Sequence, residues 1–437
     1  MENVAWWQKA VIYQIYPRSF FDANGDGVGD LAGILKKLPY LAELGIDAIW
    51  LSPIFKSPMV DFGYDISDHC VIDPLFGSMD EFDEVLAACH RLGMRLILDL
   101  VPNHTSSAHP WFVESRSSRS SLRRDWYIWR DVGPNGDPPN NWLSVFGGSG
   151  WEWDGASGQF YFHTFLNCQP DLNWRNPQVR AAVEQVVRFW LDKGVDGFRM
   201  DALWYILKDE QFRDNPINPH YREGQPPDYR FLPLYTADLD EIHEIIADLR
   251  RVADAYADRL LIGEIYLPPA KLVAYYGKNL AGVHLPFNFS LLEAAWHAST
   301  LADLIDDYEA VLPEGSWPNW VLGNHDRPRI ASRVGEEQSR VAAMLLLTLR
   351  GTPAIYNGDE LGMTLAEIPP DRILDPLEIN VPGLGLGRDA SRSPMPWSDA
   401  ANAGFSSGEP WCPLISNGMS PCSIKIRCPS YHFTGNF

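Results

Sequence analysis

At 437 residues the chain is too long for one ordinary small domain and long enough for a barrel with insertions. Its 46% hydrophobic content supports a sizeable core and argues against disorder. A formal charge of −21 sets nucleic acid and anionic membrane surfaces low as partners and is compatible with a neutral substrate.

In chain order, the opening MENVAWWQKAVIYQIYP has neither a basic n-region nor an apolar h-region, so no secretory signal is expected. Residues 11–17 read as a strand, 31–44 as a helix and 46–53 as the next strand. A helix follows at 79–92, with Asp80 and Glu81 early in it, and a third strand at 95–104. Residues 105–173 are rich in Ser, Arg, Gly, Pro and Trp and too long for a loop in a compact domain. They are expected to form a small inserted subdomain. A helix at 177–193 leads to the fourth strand, 195–201, and a helix at 240–257 to the fifth, 259–265. GVHLPFNF, NWVLGNHD and TPAIYNGDE continue the series, and a second irregular region runs from Met363 to about Glu409.

Strands alternating with helices predict a parallel sheet with helical crossovers. Eight strands favour closure into an α/β (β/α)8 TIM barrel, although periodicity alone leaves a doubly wound sheet open. The expected division is 1–104 and 174–411 for the barrel, 105–173 for the insertion and 412–437 for a tail. No apolar run is long enough to span a bilayer. Cys70, Cys89, Cys168, Cys412, Cys422 and Cys428 form no C-x-x-C pair, so free thiols and a soluble, cytoplasmic protein are expected.

Polar residues cluster where the apolar strands end, which is where barrel enzymes carry their chemistry. The third strand ends in Asp99, Asn103 and His104, the fourth in Arg199 and Asp201, the fifth in Glu264, and the seventh in Asn324, His325 and Asp326. A lone buried Asp is more often structural. Several acids, two histidines and an arginine on one rim are hard to explain that way. Two carboxyls in different environments suit glycosidic cleavage, one ionised and one holding a proton. Alternation places Arg199 and Asp201 on one strand face, so Arg199 is expected to lower the Asp201 pKa. Glu264 follows the apolar LLIG and is expected to be raised, as a general acid requires.

DLVPNH (99–104), GFRMD (197–201), the Glu264 of LLIGEIY and GNHD (323–326), in this order, resemble the four signature regions of the α-amylase family of glycoside hydrolases, family 13. QPDLNW (169–174) resembles its fifth region. WWQKAVIYQIYPRSF and GRDASRSPMPW (387–397) are most similar to the α-glucosidase and oligo-1,6-glucosidase branch. The resemblance implies double displacement with retention. Asp201 is then the nucleophile, Glu264 the acid/base and Asp326 the transition-state stabiliser. His104, Arg199 and His325 would bind the sugar, and Asp61 and Tyr64 would close the pocket. Arg388 would pair with Asp61, and Phe146 and Phe165 would lie at the rim. Together these imply an exo-acting enzyme on short oligosaccharides. Ala202, after the nucleophile, resembles the α-1,4-cleaving members, where Val marks α-1,6 cleavage. Sucrose isomerases, trehalose synthases and trehalose-6-phosphate hydrolases share the same catalytic motifs.

DANGDGVGD (22–30) alternates oxygen-bearing side chains as hard-cation loops do, but Gly33 stands where an EF-hand needs Glu. An acidic turn without metal is the bland alternative. The resemblance implies a structural Ca²⁺ or Mg²⁺ held by Asp22, Asn24, Asp26, the Val28 carbonyl and Asp30, with no organic cofactor. After Trp411 the text loses all helix and strand period, and three of the six cysteines crowd into it. The β-domain expected at the C-terminus is missing from the reading, and a frameshift or misread junction near residue 411 is expected to explain it.

Overall fold

The computed structural model describes residues 4–133 and 135–415. Eight parallel strands form the central sheet: Ile12–Ile15, Ala48–Leu51, Arg95–Leu100, Gly197–Met200, Leu260–Gly263, Leu285–Pro286, Asn319–Val321 and Thr352–Tyr356. The first strand pairs with both the second and the eighth, and the others pair in chain order through the sixth. A parallel bridge between Asn288 and Trp320 joins the sixth to the seventh and closes the ring. The fold is therefore a (β/α)8 barrel, and the open doubly wound alternative is excluded.

Local chemistry accounts for the crossovers. Helix Leu31–Leu44 starts where Asp30 accepts from the Gly33 amide and stops at Gly45, whose φ of 94° a side chain would oppose. Met79–Arg91 opens with a capping box between Ser78 and Glu81. Pro177–Lys193 has Asn176 as its cap and proline at its first turn. The longer crossovers after these are Ile242–Asp254, Ala298–Val311 and Glu336–Thr348. Inward-pointing residues such as Ile12, Trp50, Ile97, Ile262 and Val321 fill the barrel, while the alternate residues pack under the helices. Gly197 also points inward, where a Cβ would lie 2.3 Å from the Leu260 carbonyl oxygen.

Between the third strand and helix Pro177–Lys193 lies a small antiparallel sheet of Trp129–Asp131, Trp151–Asp154 and Gln159–Phe162, with an aromatic core around Trp142. The buried Lys208 ammonium fastens this insertion to the barrel, pairing with Asp171 and donating to Asn103 Oδ1 at 2.8 Å. A second hairpin, Phe55–Lys56 with Asp68–Ile72, was not legible in the sequence. The 363–409 region is irregular as expected, with short helical turns and the helix Pro376–Asn380. Trp411 and Cys412 remain seated on the barrel: Trp411 lies 4.8 Å under the Arg18 guanidinium and Cys412 is buried. Most of the expected tail, 416–437, lies outside the described residues. No helix among the described residues is long and apolar enough to cross a membrane.

Candidate active site

The C-terminal ends of the strands open into a cavity of about 760 Å³, bordered by Asp61, Tyr64, His104, Phe146, Phe165, Asp201, Glu264, Asp326 and Arg388. Sites 327 residues apart in sequence thus share one surface. Arg199 and His325 are fully buried beneath it. Val28 and the acids of the 22–30 loop do not border it.

Arg199 organises the floor. Its Nη1 donates to Asp99 Oδ1 at 2.8 Å and to Asp201 Oδ1 at 2.7 Å, and its Nη2 lies 2.8 Å from Glu264 Oε1. Glu264 also accepts from the Ala202 amide at 2.8 Å. That amide is aimed by a left-handed Ala202, φ 46°. Asp201 and Glu264 thus share one guanidinium.

The electrostatics correct one expectation. Arg199 pulls the Asp201 carboxyl down as expected but does not prevail. Burial raises it, and Glu264 and Asp99 add to the rise against the pull of Arg199. Burial likewise raises Glu264, as expected, and pushes Asp99 up to about 6. One guanidinium cannot neutralise three buried carboxylates, so the cluster retains a proton.

Asp326 is the opposite case. Burial opposes its ionisation, but the guanidiniums of Arg392 and Arg388 outweigh it and hold the carboxyl well below the usual range, with the His325 ring 3.3 Å away. Arg392 Nη2 donates to Asp326 Oδ1 at 2.7 Å and Arg388 Nη1 at 3.3 Å. Burial keeps His325 neutral. The Gln14 amide faces its Nδ1 at 2.8 Å, which leaves Nε2–H toward the Tyr64 hydroxyl at 2.8 Å. The Tyr64 hydroxyl in turn donates a hydrogen bond to Asp99 Oδ2 at 3.1 Å, and its ring stacks on His325 at 5.4 Å.

Paired side chains line one border of the cavity. Arg388 Nη2 donates to Asp61 Oδ1 at 2.9 Å and to Asp375 Oδ1 at 2.7 Å, and its guanidinium lies 5.2 Å from the Phe146 ring centre. Gln169 of the insertion donates to Asp61 Oδ2 at 3.1 Å and approaches His104 Nε2. Phe165 packs edge-on against His104 at 5.1 Å. Sequence reasoning missed Arg392, Asp375 and Gln14 as parts of this site. Arg392, four residues after Arg388, and Gln14, within WWQKAVIYQIYPRSF, both stand in quoted motifs, whereas no local pattern marks Asp375.

In the 22–30 loop, Asp22 accepts from the amides of Asn24, Gly25 and Gly27, and Asp30 from those of Ala23, Asn24 and Gly33. Asp26 accepts from the Val28 amide and the Asn24 side chain. Among the described residues no group of three or more His, Cys, Asp or Glu side chains is arranged to hold a metal. The donor set is nonetheless oxygen-only, which is what a hard cation takes.

A strand-end cluster of carboxyls bordering a cavity in a (β/α)8 barrel suits a glycoside hydrolase. Residues 14–427 match the family model "Alpha amylase, catalytic domain", and the chain belongs to that family. It is 43% identical to a probable alpha-glucosidase of Rhizobium meliloti (strain 1021), over 97% of this chain and 79% of that protein. It is 40% identical to the oligo-1,6-glucosidase of Parageobacillus thermoglucosidasius, over 95% of this chain and 79% of that protein. Among solved structures, an alpha-glucosyl transfer enzyme superposes with a TM-score of 0.92 at 45% identity, covering 95% of this chain and 79% of that one. The chain is therefore a glycoside hydrolase, with relatives named as α-glucosidases.

Proposed function

We propose that the chain is an exo-acting, retaining α-glucosidase that removes terminal α-glucosyl units from short oligosaccharides, with a preference for α-1,4 bonds. Asp201 attacks the anomeric carbon while Glu264 gives its proton to the leaving oxygen. Glu264 then takes a proton from water as the glucosyl–Asp201 bond is hydrolysed. Asp326, kept anionic, accepts hydrogen bonds from the sugar hydroxyls as positive charge develops on the ring. Arg199 and His325 set these groups from behind, and His104, Tyr64, Phe146 and Phe165 shape the sugar site.

The observation that carries this reading is the grip of one guanidinium on both Asp201 and Glu264. It supports the close spacing of a retaining pair, about 5 Å, rather than the ~6.5–9.5 Å that leaves room for an inverting water. The pairing of Asp61 with Arg388 at the cavity border favours exo action. The cations bordering the cavity are each matched: Arg388 by Asp61 and Asp375, Arg327 by Glu293 and Lys271 by Asp238. That favours a neutral sugar over a phosphorylated one. Likeness to a glucosyl transfer enzyme supports a second reading, in which the same intermediate also passes glucose to other hydroxyls.

The hard-oxygen set of the 22–30 loop supports a structural Ca²⁺ or Mg²⁺. The described cysteines, Cys70, Cys89, Cys168 and Cys412, are free, which favours a reducing, cytoplasmic location.

The test is to incubate the chain, beside an Asp201→Asn control, with equal maltose and isomaltose while following glucose anomers by NMR. α-Glucose should appear first, faster from maltose, and be absent in the control. β-Glucose appearing first would sink retention, and faster release from isomaltose would sink the linkage preference.

A further inference from the structure

Arg388 is reached through a glycine-rich strap, residues 381–388, that reads VPGLGLGR and has no part in the chemistry above. Both of its ends are anchored. Val381 is buried, its amide donates to the Leu377 carbonyl, and a Cβ on Gly147 of the insertion would stand 2.7 Å from Val381 Cγ2. At the other end Asp375 accepts from the Arg388 amide at 2.6 Å and from the Arg388 guanidinium at 2.9 and 2.7 Å.

Between these anchors one side chain holds the strap. Glu378 Oε1 accepts from the Gly383 amide and Oε2 from the Gly387 amide, each at 3.1 Å. Asp375 caps helix Pro376–Asn380 and Glu378 lies within it, so a single helical turn carries both the anchor and the clasp. Gly383 and Gly385 stand at φ 81° and 66°, where glycine is favoured, and a Cβ on either would meet nothing within 4 Å. Packing therefore does not fix the strap. Its inner stretch, Gly385 to Gly387, borders the cavity, whereas Glu378 does not. Among the described residues the peptide groups of 384–386 make no hydrogen bond within the protein. Their amides and carbonyls lie beside a sugar site with no internal partner. The missing side chains at 385 and 387 let a ligand come close to that backbone.

Resting on the α-glucosidase reading, we propose that Glu378 is a positioning residue, whose two-pronged clasp holds the strap against the pocket so that the peptide groups of 384–386 bind substrate hydroxyls. The strap meets the sugar and Glu378 acts through it. Arg388 has its own anchor in Asp375, so releasing the clasp loosens the sugar without moving the groups that cleave the bond.

The test is maltose kinetics on the parent, Glu378→Ala and Glu378→Gln, with hydrogen exchange of the strap followed by mass spectrometry. Loss of both hydrogen bonds in Glu378→Ala should raise KM about tenfold and leave kcat within about twofold of the parent. Glu378→Gln keeps one carbonyl oxygen, hence one prong, and its KM should fall between. KM does not depend on the fraction of enzyme folded, so partial misfolding leaves this reading intact. Without sugar, the strap should exchange faster in Glu378→Ala than in the parent. In Asp201→Asn, which holds maltose without cleaving it, saturating maltose should slow that exchange. An unchanged KM in Glu378→Ala, a kcat that falls instead, or strap exchange indifferent to maltose overturns the positioning role and leaves the glucosidase standing. No glucose released from maltose by the parent overturns both.

Discussion

Arg388 and Asp61, 2.9 Å apart at the border of the pocket, join opposite ends of the chain. The same guanidinium also meets Asp326 and Asp375, so one side chain couples the shape of the sugar site to the charge of a catalytic-floor acid. Arg388→Met should lower kcat/KM on maltose by about a hundredfold or more. It should also destabilise the fold by about 3–5 kcal/mol, because Asp375 is left buried and unpaired. Adding Asp375→Asn should restore much of the lost Tm but none of the activity. Thermal melts and maltose kinetics on the single and double variants separate the two roles.

Asp375 also carries a pH dependence. Burial would raise its carboxyl, but Arg388 and Arg392 hold it down to about 2. A depressed native pKa means that the stabilisation is present above the unfolded value near 4. It is lost as pH falls from about 4 to 2. Acid unfolding followed by circular dichroism should therefore be shifted for Asp375→Asn, with the difference from the parent shrinking to nothing by pH 2.

Asp359, at the end of the eighth strand, has the opposite sign. Burial pushes its carboxyl up to about 7, despite Arg329. A raised native pKa of an acid means that stability falls as pH rises from about 4 through 7. Asp359→Asn keeps the acceptor for the Tyr356 amide and removes the charge, so it should raise Tm by about 2 °C or more at pH 8 and by nothing near pH 4. An equal effect at both pH values would disprove the assignment.

Ala202 holds Glu264 through its amide while sitting at φ 46°. Valine, β-branched, is disfavoured there by about 1–2 kcal/mol and would crowd the space beside Asp201. Ala202→Val should reduce the maltose-to-isomaltose ratio of kcat/KM, by about tenfold, with a modest loss of Tm. Competition between the two sugars in one tube gives the ratio directly.

The proposed cation should act on stability alone, since its loop is apart from the cavity. Chelation should lower Tm by a few degrees and added Ca²⁺ should restore it, with kcat at 25 °C unchanged. Asp22→Asn should abolish that response. A Tm indifferent to both chelator and Ca²⁺ would reduce the loop to a self-satisfied turn.

By itself the sequence determined the alternation of strands and helices, because each strand is a short apolar run and three of the long crossovers carry caps at Asp30, Ser78 and Asn176, whereas closure into a barrel was decided by the pairing of the first strand with the eighth and of the sixth with the seventh. It also marked the strand-end polar groups Asp201, Glu264 and Asp326, because polar residues abruptly ending a buried strand are a local signal. Only the tertiary structure decided what those groups experience. Asp201 stands two residues from Arg199, yet burial and the carboxyls of Asp99 and Glu264, brought in by neighbouring strands, raise it. Asp375 joins the site from a segment with no pattern of its own, Arg392 and Gln14 reach it through contacts that no local spacing announces, and Tyr229, Leu232 and Leu234 border the cavity from a loop without period. Secondary structure is written in spacing along the chain, whereas a pKa or a pocket wall depends on distances in space between residues hundreds of positions apart.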